Sequence, residues 1–122
     1  FLCHHMAGAR VGDQEGLDEI VASSSKPNVY IKMSGFAYAV PDQKWEYPYH
    51  DTHDVVRTLY DAYGPDRLCW GSDYPVVRNY MTHKQSLEAF RMHCDFIPEV
   101  DRETILGQAL MKLLDAARDV HK

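Results

Sequence analysis

Gly64-Pro65-Asp66-Arg67-Leu68-Cys69-Trp70-Gly71-Ser72-Asp73-Tyr74-Pro75 is the stretch that decides the fold. Gly64 can take the left-handed backbone that ends a helix, and Pro65 cannot continue one. Arg67 to Gly71 is then a short apolar run suited to a strand buried on both faces of a parallel sheet. Ser72-Asp73-Tyr74-Pro75 stops that strand and leaves a carboxylate just past its carboxyl end.

Outward from this stretch, strands alternate with helices. Upstream, Asp51 or Thr52 opens a helix with Val55, Val56, Leu59, Tyr60 and Tyr63 on one face. Before it, Phe36 to His50 is a long loop with five aromatics. Loops beyond ~12–15 residues in compact domains are functional or disordered, and aromatics favour function. Val29-Tyr30-Ile31-Lys32-Met33 reads as a strand stopped by Ser34-Gly35. Asp13 caps an earlier helix with Leu17, Ile20 and Val21 on one side, ending near Ser23-Ser24-Ser25. Phe1-Leu2-Cys3 reads as a strand running into His4-His5, followed by a loop from Met6 to Gly12. This apolar opening without Met is expected to be part of a longer chain. Downstream, Thr82-His83-Lys84-Gln85 fits a capping box ahead of Leu87, Phe90 and Cys94. Ile97-Pro98 breaks that helix. Asp101 opens the last one, with Ile105, Leu106, Ala109, Leu110, Leu113, Leu114 and Ala117 as its stripe.

The order β-α-β-α-β-α-α implies a parallel sheet with right-handed crossovers. Three strands are few for a self-standing doubly wound domain. They suit the last three-eighths of a (β/α)₈ TIM barrel, where ~250 residues is usual. The expectation is an α/β chain whose residues 1–122 form one partial domain. It holds the last βα units of such a barrel, with the N-terminal half absent.

Composition excludes several classes. The chain carries 13 Lys and Arg against 18 Asp and Glu, a net charge of −5. That balance, without a basic run, argues against a nucleic-acid partner. No apolar stretch approaches the ~20 residues of a membrane span, and no signal-peptide pattern is present. Cys3, Cys69 and Cys94 are an odd number without metal-type spacing, which points to free thiols in a reducing, cytoplasmic setting.

Chemistry in a parallel barrel sits beyond the carboxyl ends of its strands. Three ends are visible: His4-His5, Lys32-Met33-Ser34-Gly35, and Gly71-Ser72-Asp73-Tyr74-Pro75. A carboxylate there suits a metal ligand or general base, and a histidine can carry a proton near neutral pH. Each residue also has an ordinary alternative. An Asp after a strand often forms a turn or caps a helix. Adjacent His4 and His5 face opposite ways in a strand, one toward the barrel and one toward the helix layer. His50 and His53, three apart, make either a two-point metal site or a polar helix start. His83, His93 and His121 are expected in solvent. Lys32 interrupts an apolar strand and needs a partner or a purpose, either substrate contact or a structural ion pair. The aromatic loop either lines a pocket or caps the barrel mouth.

These residues resemble the amidohydrolase-2 family of TIM-barrel, often metal-dependent hydrolases and decarboxylases. Asn28 to Phe36 is similar to the family's seventh-strand segment, and Gly64 to Pro75 to its eighth-strand segment, the more specific match. Ile105-Leu106-Gly107 with Ala109 and Leu113-Leu114 is similar to its closing helix, and Cys3-His4-His5-Met6 to its sixth-strand end. The resemblance spans nearly the whole chain, in the order of the family's C-terminal part. It implies that Asp73 binds the metal or acts as general base toward water. It also implies that His5 assists proton transfer or polarises the substrate carbonyl. Lys32 and Ser34 match strand-seven positions near the pocket floor. Where the family tends to have Asp before the histidine, this sequence has His4, so His4 and His5 both stay candidates. The family's first-strand His-x-His and fifth-strand histidine, most of its metal ligands, are absent. Gln108 stands where Asn is usual.

The wording around Ser34-Gly35-Phe36 and Gly71 to Pro75 is closest to the lactonase side of the family. The expected function is hydrolysis of a lactone or related cyclic ester, with Asp73 and His5 catalytic. Lys32, Ser34, His4 and Tyr74 are then expected at the substrate, and Asp73 at any metal. A divalent metal, zinc or manganese, is implied, and so is metal-free catalysis, since some members work without one. The alternatives are non-oxidative decarboxylation of an aromatic or unsaturated acid on the same residues, or an inactive fragment associating through its exposed sheet edge. The expected partners are a small-molecule substrate and either a second copy of the chain or the missing part of the barrel, with no nucleic acid and no membrane.

Overall fold

The computed structural model describes residues 1–40, 42 and 45–120. Strands β1 (Leu2–Cys3), β2 (Tyr30–Met33) and β3 (Leu68–Trp70) form one sheet in that order. Both pairings are parallel: Cys3 faces Ile31, and Ile31, Lys32 and Met33 face Leu68, Cys69 and Trp70. The three carboxyl ends therefore share one rim. The helices are α1 (Gln14–Ala22), α2 (Phe36–Ala39), α3 (His53–Tyr63), α4 (His83–Arg91), α5 (Glu99–Glu103) and α6 (Ala109–Val120). This is the α/β alternation the sequence predicts, with slightly shorter strands.

Paired residues of a parallel sheet project to the same side. Ile31, Met33 and Leu68 are fully buried and merge with Val55, Val56, Leu59 and Ile105 into one core. Burying each such side chain stabilises the fold by roughly 1.5–3 kcal/mol. Lys32 and Cys69 project to the opposite face. Arg67 of the deciding stretch ties the helix–strand junction together. Its guanidinium donates to the carbonyls of Tyr63 (3.3 Å), Lys26 (3.0 Å) and Val29 (3.5 Å) and lies 5.0 Å from the centre of the Tyr63 ring.

Two helix starts match the expectation. The Asp13 carboxylate accepts from the Gly16 N–H at 3.0 Å. Thr82 and Gln85 form the full capping box, with bonds of 2.9 and 3.0 Å. Other boundaries differ. Phe36 to Ala39 forms a helical turn where a loop is predicted, because Phe36, Ala37 and Ala39 are buried there. Thr52 stands directly before α3, as expected, but its side chain does not cap the helix. The Thr52 hydroxyl instead donates to the Tyr49 carbonyl at 2.7 Å, inside a 3₁₀ turn over His50–Thr52. The last helix begins at Glu99 rather than Asp101, directly after Pro98, and passes through a wide π turn at Thr104–Gln108 into α6. The Asp101 carboxylate is engaged elsewhere, accepting from the Tyr60 hydroxyl of α3. The apolar stripe of this helix is buried at Ile105 and Ala109, whereas Leu114 is 52% exposed and Ala117 is also exposed. Among the described residues nothing covers that last turn. Pro41 of the long loop and His121 lie outside the described residues.

Candidate active site

Asp73 follows β3 in the left-handed region, with φ 59°. Aspartate tolerates this conformation better than most side chains, because its short polar group bonds locally. Its carbonyl accepts from the Val77 N–H at 3.0 Å, which starts the next turn. Its two carboxylate oxygens face different partners. Oδ2 accepts from the Tyr38 hydroxyl at 2.7 Å. Oδ1 lies 3.9 Å from His5 Nε2, beyond hydrogen-bond length but within ion-pair range. The His5 ring is fixed from its other side, where Nδ1 meets Ser34 Oγ at 3.1 Å. Its face lies edge-to-face with Tyr38, centres 5.3 Å apart. Burial and the bond to Asp73 both raise the Tyr38 hydroxyl's pKa, so it stays protonated and remains a donor to the carboxylate.

Two backbone features make this arrangement. Immediately after β1, His5, Met6 and Ala7 all take φ of 52–56°, and Gly8 follows at 80°. A left-handed turn costs roughly 1–2 kcal/mol per non-glycine residue. It is held by full burial of Met6 and by the Ala7 N–H to His4 carbonyl bond of 2.9 Å. The turn swings His5 over the end of β2. There Gly35, φ 74°, has no side chain to obstruct it. A Cβ at Gly35 would lie 2.7 Å from Tyr38 Cδ2 and 3.1 Å from His5 Cβ. Glycine is thus required for His5 and Tyr38 to stand side by side.

The other expected residues take varied positions. Ser34 is buried and engages His5. His4 is exposed, its ring 5.9 Å from that of His5. Tyr74 is 62% exposed, and its N–H donates to Ser72 Oγ at 3.2 Å. The Lys32 stem passes over Gly71, where a Cβ would lie 2.4 Å from Lys32 Cε. Among the described residues its ammonium has no ion pair, so the structural option for Lys32 finds no partner there. Sequence reasoning did not single out Tyr38. The aromatic loop containing it was marked, but nothing in the pattern distinguished it from its aromatic neighbours. Tyr38 continues by ring contact to Tyr80 (5.7 Å), and Tyr80 to Trp45 (5.7 Å), so the loop does line the site. A small, mostly apolar pocket opens beside Tyr38, Asp73, Trp70 and Tyr80.

His93 departs from the expectation of a solvated side chain. It is half-buried, with its ring 5.8 Å from Tyr47 and 6.1 Å from His50. Cys3, Cys69 and Cys94 are free, as expected, and burial pushes the Cys94 thiol up to about 12. Among the described residues no group of three or more His, Cys, Asp or Glu is placed to hold a metal ion. His5 Nε2 and Asp73 Oδ1 offer two donors, short of the three protein ligands a catalytic zinc needs. No described helix is long and apolar enough to cross a membrane.

A family model described as amidohydrolase matches residues 1–115. An amidohydrolase from Burkholderia multivorans with bound HEPES is similar in structure, with a TM-score of 0.70 at 18% identity, covering 88% of this chain and 42% of that one. An amidohydrolase from the same organism with bound zinc gives 0.69 at 20% identity, covering 91% and 42%. A proposed 2-pyrone-4,6-dicarboxylic acid hydrolase from Pseudomonas putida gives 0.67 at 21% identity, covering 86% and 39%. The chain spans about two fifths of the length of these structures. No curated protein matches it.

Proposed function

The chain belongs to the amidohydrolase family, and from that premise we propose that it supplies the C-terminal part of a (β/α)₈ hydrolase that opens a lactone or related cyclic ester. The observation that carries this reading is the meeting of Asp73, His5 and Tyr38 at the ends of three adjacent parallel strands. The Pseudomonas putida protein's description as a hydrolase of a cyclic ester supports the substrate class.

In this mechanism Asp73 Oδ1 takes a proton from water while the water oxygen bonds to the ester carbonyl carbon. Tyr38 holds Oδ2, so the free oxygen points toward His5 and the reacting water. The ring C–O bond then breaks, and the departing alkoxide takes up the proton that Asp73 received, leaving a hydroxy acid and Asp73 as the carboxylate again. His5, steadied by Ser34, hydrogen-bonds the carbonyl oxygen or hands over that proton. Lys32, His4 and Tyr74 are assigned to substrate contact at the rim. A relative binds zinc, but the described residues alone do not complete a metal sphere, so no step here runs through one. The decarboxylase alternative calls for an arginine or metal near His5. Among the described residues no arginine is bonded to it.

The test uses the full-length protein in which this chain occurs. Purified protein, with its bound metal content measured, is offered a panel of lactones and aromatic carboxylic acids. Ring opening, read as acid release, supports the proposal. Release of carbon dioxide without ring opening overturns it.

A further inference from the structure

Three imidazoles meet away from the strand ends. His50 opens the turn before α3, His53 begins α3, and His93 follows α4. The ring centres of His50 and His53 are 5.1 Å apart, and those of His50 and His93 are 6.1 Å apart. Tyr47 lies against His93, and Phe96 lies 5.3 Å from His53. His53 Nε2 is shut off from solvent and has no hydrogen-bond partner among the described residues. A protonated imidazole has two N–H donors to satisfy, so a proton on His53 would leave one donor buried and unpaired.

The charged groups around His53 mostly oppose that proton. His50 from the preceding turn, His93 from beyond α4 and Arg57 from its own helix disfavour it, and only Asp95, beside His93, favours it. Arg57 sits 4.5 Å from the centre of the Phe96 ring. Tyr47 in turn faces Glu88 of α4.

We propose that His50, His53 and His93 form a proton-sensitive clasp, which fastens the Trp45–Tyr49 segment to α3 and to the end of α4. The clasp is closed while the imidazoles are neutral and opens as protons enter. Its position gives it reach. Trp45, two residues before Tyr47, touches Tyr80, Tyr80 touches Tyr38, and Tyr38 holds Asp73. The segment that the clasp fastens is therefore the one that walls the candidate site. Burial, the largest cause, lowers the folded-state proton affinity of His53, so between that lowered value and 6.5 the folded state binds fewer protons than the unfolded. The clasp's stability is complete above about 6.5 and is lost as pH falls below it.

Histidine-ring NMR of the full-length protein, from pH 8 to pH 5, tests this without any activity measurement. The expected result is that His53 titrates below 6.5 and that the Trp45 indole signal shifts with the same midpoint. His50→Gln, at an exposed position, removes one like charge 5.1 Å from His53. It should raise that midpoint by roughly half a pH unit, the size of a like-charge interaction at this distance in water-like surroundings. His93→Gln should act in the same direction. Titration of His53 at or above 6.5, or a Trp45 signal unmoved across the range, overturns the proposal. So does a folded His50→Gln protein with an unchanged midpoint. Should both variants unfold, the wild-type titration decides alone.

Discussion

His5 follows β1 and His53 begins α3, and their surroundings are opposite. His5 has the Ser34 hydroxyl at 3.1 Å on one ring nitrogen and the Asp73 carboxylate at 3.9 Å from the other. His53 has two imidazoles and a guanidinium acting against its charge, and a buried nitrogen with no partner among the described residues. Both are partly buried, so the difference comes from the company each keeps. An imidazole between acceptors is equipped to handle a proton. An imidazole among other cations-in-waiting is equipped to be displaced by one. The first arrangement suits chemistry and the second suits response to acid.

The sharpest way to break this contrast is to remove the acceptor from the first site. Asp73→Asn keeps the shape of the side chain but deletes the base and the charge opposite His5. Lactone opening by the full-length protein should fall by on the order of 10²–10⁴ in kcat/KM, the usual worth of a positioned acid or base. Full activity in this variant would show that Asp73 takes no proton. A smaller loss is expected from Tyr38→Phe, which leaves the base in place but frees its Oδ2. A carboxylate displaced from its reactive pose costs up to about a hundredfold, and the loss should fall on kcat rather than KM. If Tyr38 served packing alone, the phenylalanine variant would keep its rate.

The two regions were not equally legible in the sequence. β3 and its Asp73 could be read directly, because an apolar run between Gly64-Pro65 and Tyr74-Pro75 has few other meanings. The helix stripe of α3 and the capping box of α4 follow from spacing alone, and both are present. The left-handed turn at His5 was not legible. Three consecutive non-glycine residues in that conformation run against local preference, and burial of Met6 and the bond from the Ala7 N–H to the His4 carbonyl compensate. Tyr38 was hidden among five aromatics, since its partner comes from a different strand end. The clasp was half visible. His50 and His53 stood out as a spaced pair, but His93 arrives from another helix, and no local pattern reports a contact between distant segments.

A third prediction addresses the His53 side of the contrast through stability. Thermal unfolding of the full-length protein should move to lower temperature as pH falls below about 6.5. A folded-state proton affinity lower than the unfolded one makes acid favour unfolding. His53→Phe, which places a second ring against Phe96 and removes the orphaned nitrogen, should flatten this dependence, whereas Asp73→Asn should leave the His53 contribution in place. A slope retained in His53→Phe would assign the acid sensitivity to other groups.

The smallest effect separates the clasp from the helix that carries it. The two ends of α4 do different work: Thr82 and Gln85 close its N-terminus with reciprocal bonds, and His93 lies just beyond its C-terminus. Thr82→Ala removes one of those bonds and should cost about 1 kcal/mol, as the loss of an N-cap does elsewhere. Because the lost bond is between neutral groups at the end of α4 opposite His93, its cost should change little between pH 8 and pH 5.5. The unfolding curves of variant and parent, plotted against pH, should then run parallel. If instead they converge at acid pH, then α4 has already loosened at its N-terminus when the histidines are protonated. The clasp would in that case act on the whole helix, not only on its last turn.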